Sequence, residues 1–289
     1  MNSVNLWKNP LEIGLKDDGY PWDWTTMAAF HGKETRKTHA RLLAKSQGIW
    51  AADGLFDAAM DLSREMGFPF EIQSTFHNGK EFKPGDLLAD WQGSAKGILI
   101  LERPVINLGS FACGIATATH RLVQKVSSRK LKNPPRVTAT RKTLPGYRDI
   151  SIQSVLAGGG FSHRVSLSGG VLVKENHVAV AGGIGAAIDG ARKLAPHSLR
   201  IECEVRDLKE LQQAIDAAVD AVLLDNFTPE QVAEGLKVVA RAARKPVVEV
   251  SGGINASNIE SYALEGVDVI SSGGLTHSVT SSDLSLQVE

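Results

Sequence analysis

Residues 199–274, LRIECEVRDLKELQQAIDAAVDAVLLDNFTPEQVAEGLKVVARAARKPVVEVSGGINASNIESYALEGVDVISSGG, alternate short apolar runs with longer amphipathic ones. The runs IECEV, AVLLD, PVVEV and VDVISS are rich in β-branched residues and end in polar residues or glycine, the pattern of buried parallel strands. Between them, DLKELQQAIDAAVD, TPEQVAEGLKVVARAAR and NASNIESYALEG carry apolar stripes at helical spacing. Each is opened by a residue suited to capping a helix: Asp207, Thr228 and Asn255. The strand-end residues Glu204, Asp225, Ser251 and Gly273 stand 21, 26 and 22 positions apart by subtraction, which suits one strand and one helix per unit. Consecutive βα units predict an α/β barrel, whose strand carboxyl ends gather their side chains around one mouth.

Working outward, RVTAT after Pro134-Pro135 and VLVK add two more strand-like runs. Six strands are fewer than the eight of the complete barrel and leave closure undecided. Upstream of Ala95 the pattern differs. ARLLAK is strand-like, and HNGKEFKPGDLLADWQG reads as strand, turn, strand around Pro84-Gly85, which predicts a small antiparallel domain. From Ala95 onward, Leu101, Val105, Leu108, Ile115, Ala118 and Leu122 recur near helical spacing and predict a helix of several turns linking two domains.

The chain has 289 residues, 43% hydrophobic and 22% charged, the balance of an ordinary globular protein with a large core. Its 32 basic residues balance 32 acidic ones, so no global field draws it to nucleic acid or an anionic membrane, and any anion site is local. MNSVNLWKNPLEIG lacks the basic-then-apolar pattern of a secretion signal, and the apolar stretch near Val178 to Ile188 is too short to cross a bilayer. A cytoplasmic location is expected. Cys113 and Cys203 have no Cys-x-x-Cys partner and read as small buried hydrophobes.

Charged residues cluster at the strand ends. TATRKTLPGYR places Thr140, Arg141, Lys142 and Thr143 after a strand and before a Pro-Gly turn. GGGFSHR supplies His163 and Arg164, and VLVKENH supplies Lys174. Against these five basic groups stand Glu204 and Asp225, each closing an apolar strand, where a carboxylate needs a partner or a metal. Magnesium, with few protein carboxylates, several waters and phosphate oxygens, suits such a pair; an ion pair with Lys142 or Lys174 is the other reading, and both can hold. VSGGIN and SSGGLTHS bring glycines after the last two strands, where backbone N–H groups can approach a phosphate, aided by the helix after SGGIN.

Taken in order, ERPVIN, FACGIATATHR, TRKTLPG, GGG with HR, VLVKENH, ECEV, LLDNF, VSGGI and GGLTHS resemble the signature of the quinolinate phosphoribosyltransferase family, also called carboxylating nicotinate-nucleotide pyrophosphorylases. The match runs from about Asp17 to the end. The resemblance implies an α/β protein of the type II phosphoribosyltransferase fold: an amino-terminal α/β sandwich over 1–116, completed by the tail at 276–289, and an incomplete α/β barrel over 117–275. It implies a homodimer in which Arg103 reaches the partner's site, with Arg141, Lys142, His163, Arg164 and Lys174 holding quinolinate. Lys142, Lys174, Glu204, Asp225, Ser251, Gly252, Gly253, Gly273 and His277 would hold phosphoribosyl pyrophosphate, and Glu204 and Asp225 the Mg²⁺, directly or through water. Lys142, Glu204 and Asp225 are the implied catalytic residues.

The chain departs from the family's pattern in places. Ala139 stands before TRKT where the family commonly has Asp, FSHR replaces HNHR, KENH replaces KDNH, and GSFACGIAT replaces a bulkier run after Arg103. All matched cations and carboxylates are kept. A second TRKT, at 35–38, lacks the Pro-Gly turn and reads as a solvated basic edge, and Trp22 and Trp24 read as packing residues. Two other activities are weighed: transfer to a monocarboxylate such as nicotinate, which the surplus of cations disfavours, and a non-catalytic role like that of family relatives associated with molybdate transport, which the joint presence of Arg141, Lys142, Glu204 and Asp225 disfavours.

Overall fold

The structure, a computed structural model, describes residues 3–30 and 36–289. Of the second TRKT, Thr35 lies outside the described residues. In chain order the helices are α1 (Ser3–Asp17), α2 (Trp24–Ala29), α3 (Leu55–Glu65), α4 (Ala95–Ser128), α5 (Arg148–Ala157), α6 (Glu175–Ala181), α7 (Ile184–Leu194), α8 (Leu208–Asp216), α9 (Pro229–Ala240), α10 (Ile259–Tyr262) and α11 (Gly274–His277). The strands are β1 (Lys37–Ala44), β2 (Gly48–Ile49), β3 (Phe70–Gln73), β4 (Glu81–Phe82), β5 (Leu87–Ser94), β6 (Arg136–Thr138), β7 (Val171–Val173), β8 (Ile201–Val205), β9 (Ala221–Asp225), β10 (Val247–Ser251), β11 (Val269–Ser271) and β12 (Leu284–Val288).

Two compact units result: residues 1–120, 144–159 and 279–289 form one, and 121–143 with 160–278 the other. The first is built on an antiparallel sheet ordered β12-β1-β5-β3. Its core gathers Trp7, Leu11, Trp50, Leu55, Phe70, Phe82, Trp91 and Leu101, and the Phe70 and Trp91 rings stack 5.4 Å apart. The strand, turn and strand read around Pro84-Gly85 are present as β4 and β5. They do not pair with each other: β4 pairs β2, and β5 lies between β1 and β3.

Three sequence expectations are corrected here. Trp22 and Trp24 are not packing residues: they are 63% and 70% exposed and stack on each other at 5.8 Å. Residues 144–159, placed with the barrel in the sequence, belong to the first unit, where Ile150 joins the core cluster. The longest apolar element is α4 and not the stretch near Val178. α4 is long and apolar enough to cross a membrane by composition, yet 72% of its most apolar window is buried in the protein, as befits a core helix.

The second unit is an incomplete α/β barrel. Its six strands are all parallel and ordered β6-β11-β10-β9-β8-β7, so β7 to β11 lie side by side in chain order and β6 flanks the last of them. Between the free edges of β6 and β7, Phe161 makes a single parallel bridge to Thr138 and no full strand. The helix starts at Asp207 and Thr228 are as expected: Asp207 accepts from the Glu210 N–H at 2.8 Å, and Thr228 forms a capping box with Gln231. Asn255 does not cap a helix. Its side chain accepts from the Ser257 N–H, and the short α10 begins only after Asn258, so a helix dipole directly after SGGIN is absent.

Candidate active site

Strand side chains alternate between faces, so residues two apart share one. β8 shows this plainly: Ile201, Cys203 and Val205 are buried, whereas Glu202 and Glu204 lie on the other face. The same spacing pairs Leu172 with Lys174, Leu223 with Asp225 and Glu249 with Ser251, and all six residues line one cavity of about 270 Å³ at the strands' carboxyl ends. Thr140, Arg141, Lys142, His163, Arg164, Glu204 and Ser271 complete its wall. Every basic residue expected from the barrel sequence is therefore gathered here, with Glu204, Asp225 and Ser251. Arg103 lies on α4 in the first unit, with an exposed side chain.

Gly252 and Gly253 follow β10, Gly273 precedes α11 and His277 ends it; none of the four lines the cavity. Gly273 permits a close approach: a Cβ there would lie 3.2 Å from Lys142 Cδ and 3.1 Å from the His277 ring. Thr276 Oγ1 donates to the Lys142 carbonyl at 2.9 Å, which ties α11 to the TRKT segment. Gly252 has φ +101°, and a Cβ would fall 2.3 Å from Asn226 Oδ1 and 2.8 Å from its backbone nitrogen. Asn226 itself adopts a left-handed φ of 58°, donates its backbone N–H to the Ser251 carbonyl at 2.9 Å, and donates from Nδ2 to Asp225 Oδ2 at 2.8 Å. Gly252→Ala is expected to cost about 1–3 kcal/mol of stability through this strained loop and to lower turnover through displaced Asn226 and Asp225. Thermal unfolding and steady-state rates measure both effects.

The charges are strongly interlocked. Lys174 Nζ donates to Glu204 Oε2 at 2.6 Å, the ion pair anticipated from the sequence. Burial, then the charge of Glu204, hold the Asp225 carboxyl above its ordinary value, while Lys174, Asn226 and Lys142 oppose the shift. An acid pair of this kind gains from a small divalent cation, so the residues present fit Mg²⁺. Burial first and the neighbouring Arg141 charge second lower Arg164, and the charge of Glu202 offsets them only in part.

Sequence reasoning missed two acids: Glu249, which lines the cavity, and Glu202, on the same face of β8 as Glu204 and close to the same histidine. Glu249, only 4% exposed, sits in the sheet centre between apolar register partners Leu223 and Val269. Its Oε2 meets His163 Nε2 at 3.2 Å, and Glu202 Oε2 approaches the same nitrogen to 3.9 Å. Burial lowers His163, but the hydrogen bond and charge of Glu249 and the charge of Glu202 outweigh it and leave the imidazole raised. Glu202 is pushed up to about 8, by burial first and the charge of Glu249 second. The three side chains bring ligand-type atoms within 4.8 Å of one another, but Arg164 acts on both His163 and Glu202 and sets the cluster against a further cation. The missed signal was period two: a glutamate two positions before Glu204 and another two before Ser251.

Both halves of the chain match family models: residues 23–113 the amino-terminal domain, and 115–287 the carboxyl-terminal domain, of quinolinate phosphoribosyl transferase. The chain belongs to the quinolinate phosphoribosyltransferase family. Among its relatives in that family, a probable nicotinate-nucleotide pyrophosphorylase [carboxylating] of Methanocaldococcus jannaschii is 42% identical over 225 residues, 76% of this chain and 78% of the relative. The human nicotinate-nucleotide pyrophosphorylase [carboxylating] is 36% identical over 251 residues, 87% of this chain and 82% of the human protein. The solved nicotinate-nucleotide pyrophosphorylase from Francisella tularensis superposes with a TM-score of 0.88 at 31% identity, covering 99% of this chain and 97% of that one. The quinolinate phosphoribosyltransferase fold thus accounts for both units, and Cys113 and Cys203 fit it as buried thiols, each pushed up to about 12 chiefly by burial.

Proposed function

We propose that this chain is a decarboxylating quinolinate phosphoribosyltransferase, converting quinolinate and phosphoribosyl pyrophosphate to nicotinate mononucleotide, pyrophosphate and carbon dioxide. One observation carries the reading: Arg141, Lys142, His163, Arg164 and Lys174 converge with Glu204 and Asp225 on a single cavity in a protein of zero formal net charge. Both substrates are polyanions, and a neutral protein must concentrate positive charge locally to hold them. The curated names of the relatives agree with this chemistry.

On this reading, Arg141, His163 and Arg164 clamp the acceptor's two carboxylates, with guanidinium forks offering two-point contacts. Lys142 and Lys174 lie between acceptor and donor, while Ser251, Gly252, Gly253, Gly273 and His277 hold the donor's phosphates. Glu204 and Asp225 would hold Mg²⁺, directly or through water, and the bound ion would screen the diphosphate leaving group. With the acceptor fixed, its ring nitrogen attacks the ribose carbon as diphosphate departs, and the carboxylates stabilise the positive charge developing on the ribose. The quaternary nitrogen then draws the electron pair left by departing carbon dioxide, and the ring carbon takes a proton. Lys142, whose backbone carbonyl is held by Thr276 and whose side chain passes close to Gly273, would deliver it or stabilise the carbanion. A homodimer with Arg103 completing the partner's acceptor site, and a cytoplasmic location, belong to the same proposal.

Incubation with Mg²⁺, phosphoribosyl pyrophosphate and quinolinate labelled at the 2-carboxylate tests it. The expected products are nicotinate mononucleotide and labelled carbon dioxide in equal amounts, with little product from nicotinate. Mononucleotide formation from nicotinate alone would establish the monocarboxylate enzyme instead, and no product from either acid would point to a binding role.

A further inference from the structure

A cavity built for a dianionic acceptor has an unexplained feature: a buried acid, Glu249, in its wall. Its sheet neighbours Val248 and Val250 are buried, and its register partners Leu223 and Val269 are apolar. An unpaired carboxylate in such surroundings is costly, and one that repels the substrate is costlier still. The cation it meets is His163, at 3.2 Å, while its other oxygen, Oε1, is buried without a hydrogen-bond partner among the described residues. Glu202 closes on the same imidazole nitrogen from β8. The opposite ring nitrogen, Nδ1, is likewise buried and unpartnered.

These contacts give the acid a purpose. With Nε2 committed to Glu249, a neutral imidazole would carry only a lone pair on Nδ1 and would repel an acceptor carboxylate. With both nitrogens protonated, the ring is a positive charge with a spare donor. We propose that Glu249 is a positioning residue for acceptor recognition: through its Oε2 contact with Nε2 its buried side chain fixes the His163 ring and keeps it a positive charge on the cavity floor. The inference rests on the decarboxylating transfer proposed above. It predicts that Glu249 governs quinolinate and not the phosphoribosyl donor, although it touches the acceptor only through His163.

The test is a double-mutant cycle on active enzyme with Glu249→Gln and His163→Gln, which keep shape and remove charge. Glu249→Gln should raise the KM for quinolinate about 10- to 100-fold and leave the KM for phosphoribosyl pyrophosphate within about twofold, as expected for loss of a charged hydrogen bond. In the His163→Gln background the same change should add almost nothing. An unchanged quinolinate KM, equal losses for both substrates, or an undiminished effect without His163 would each overturn the proposal. Should Glu249→Gln fail to fold, ¹⁵N chemical shifts of the wild-type imidazoles decide, with His163 assigned by its absence from the His163→Gln spectrum. A protonated ring at pH 7 supports the assignment and a neutral one refutes it. Absence of mononucleotide with the wild-type enzyme would instead reject the underlying reaction.

Discussion

Asp225→Asn lowers kcat by about 10²–10³-fold while leaving the protein as stable as before or more so, since removing one preorganised electrostatic contact commonly costs that much in turnover. The carboxyl group's setting explains both effects. It closes β9 beside Glu204, partly buried, and both burial and that neighbouring charge disfavour its ionised form. The fold therefore gains nothing from the negative charge, and an amide of the same shape keeps the Asn226 contact region filled. On the proposed reading, what is lost is the charge facing the diphosphate and the ribose carbon. Steady-state turnover at saturating substrates, read beside a thermal melt, separates the two effects. A melt that falls in step with kcat would show that Asp225 is a structural residue.

Arg164→Leu makes the complementary case on the acceptor side. The quinolinate KM should rise about 10²–10³-fold, within the range seen when one member of a buried charge pair is removed from an interface. Again stability should hold or improve. Burial first and the Arg141 charge second work against the Arg164 guanidinium, the charge of Glu202 opposes them only in part, and Nη1 donates a hydrogen bond to the Gly170 carbonyl at 3.1 Å. Two like charges held together, offset only in part by Glu202, are a cost borne for binding, the usual trade between stability and function. Removal of one relieves the repulsion and, on the proposed reading, empties half of the acceptor clamp. The KM for phosphoribosyl pyrophosphate should change far less.

The barrel was legible in the sequence because each strand is a short apolar run with a polar or glycine end, and because period-two alternation places functional residues at those ends. Asp207 and Thr228 announced their helices by the same local chemistry. What escaped the reading depends on distant partners. The β12 strand pairs with β1 across almost the whole chain, Ala40 opposite Val288; no local signal marks that choice, and only the family resemblance joined the tail to the amino-terminal domain. The helices α1 and α3 are amphipathic but lie among turn-like residues, with Pro10 inside α1. Residues 144–159 look like a barrel βα segment, yet their apolar face packs with the first unit. Glu202 and Glu249 were passed over because a carboxylate inside an apolar strand reads as an isolated exception until its partner, His163, is seen to come from another loop. Asn255 failed as a cap for a simpler reason: its side chain satisfies Ser257 in a local turn that competes with helix initiation.

The account rests on the strand-end cavity being where the acceptor binds. A crystal structure of the protein with quinolinate decides it most directly. Both carboxylates should lie within hydrogen-bond distance of Arg141, Arg164 or Lys174, above the His163 and Glu249 pair. Quinolinate bound instead in the cavity at the opposite strand ends, lined by Leu236, Lys245, Pro246 and Asp268, would contradict it.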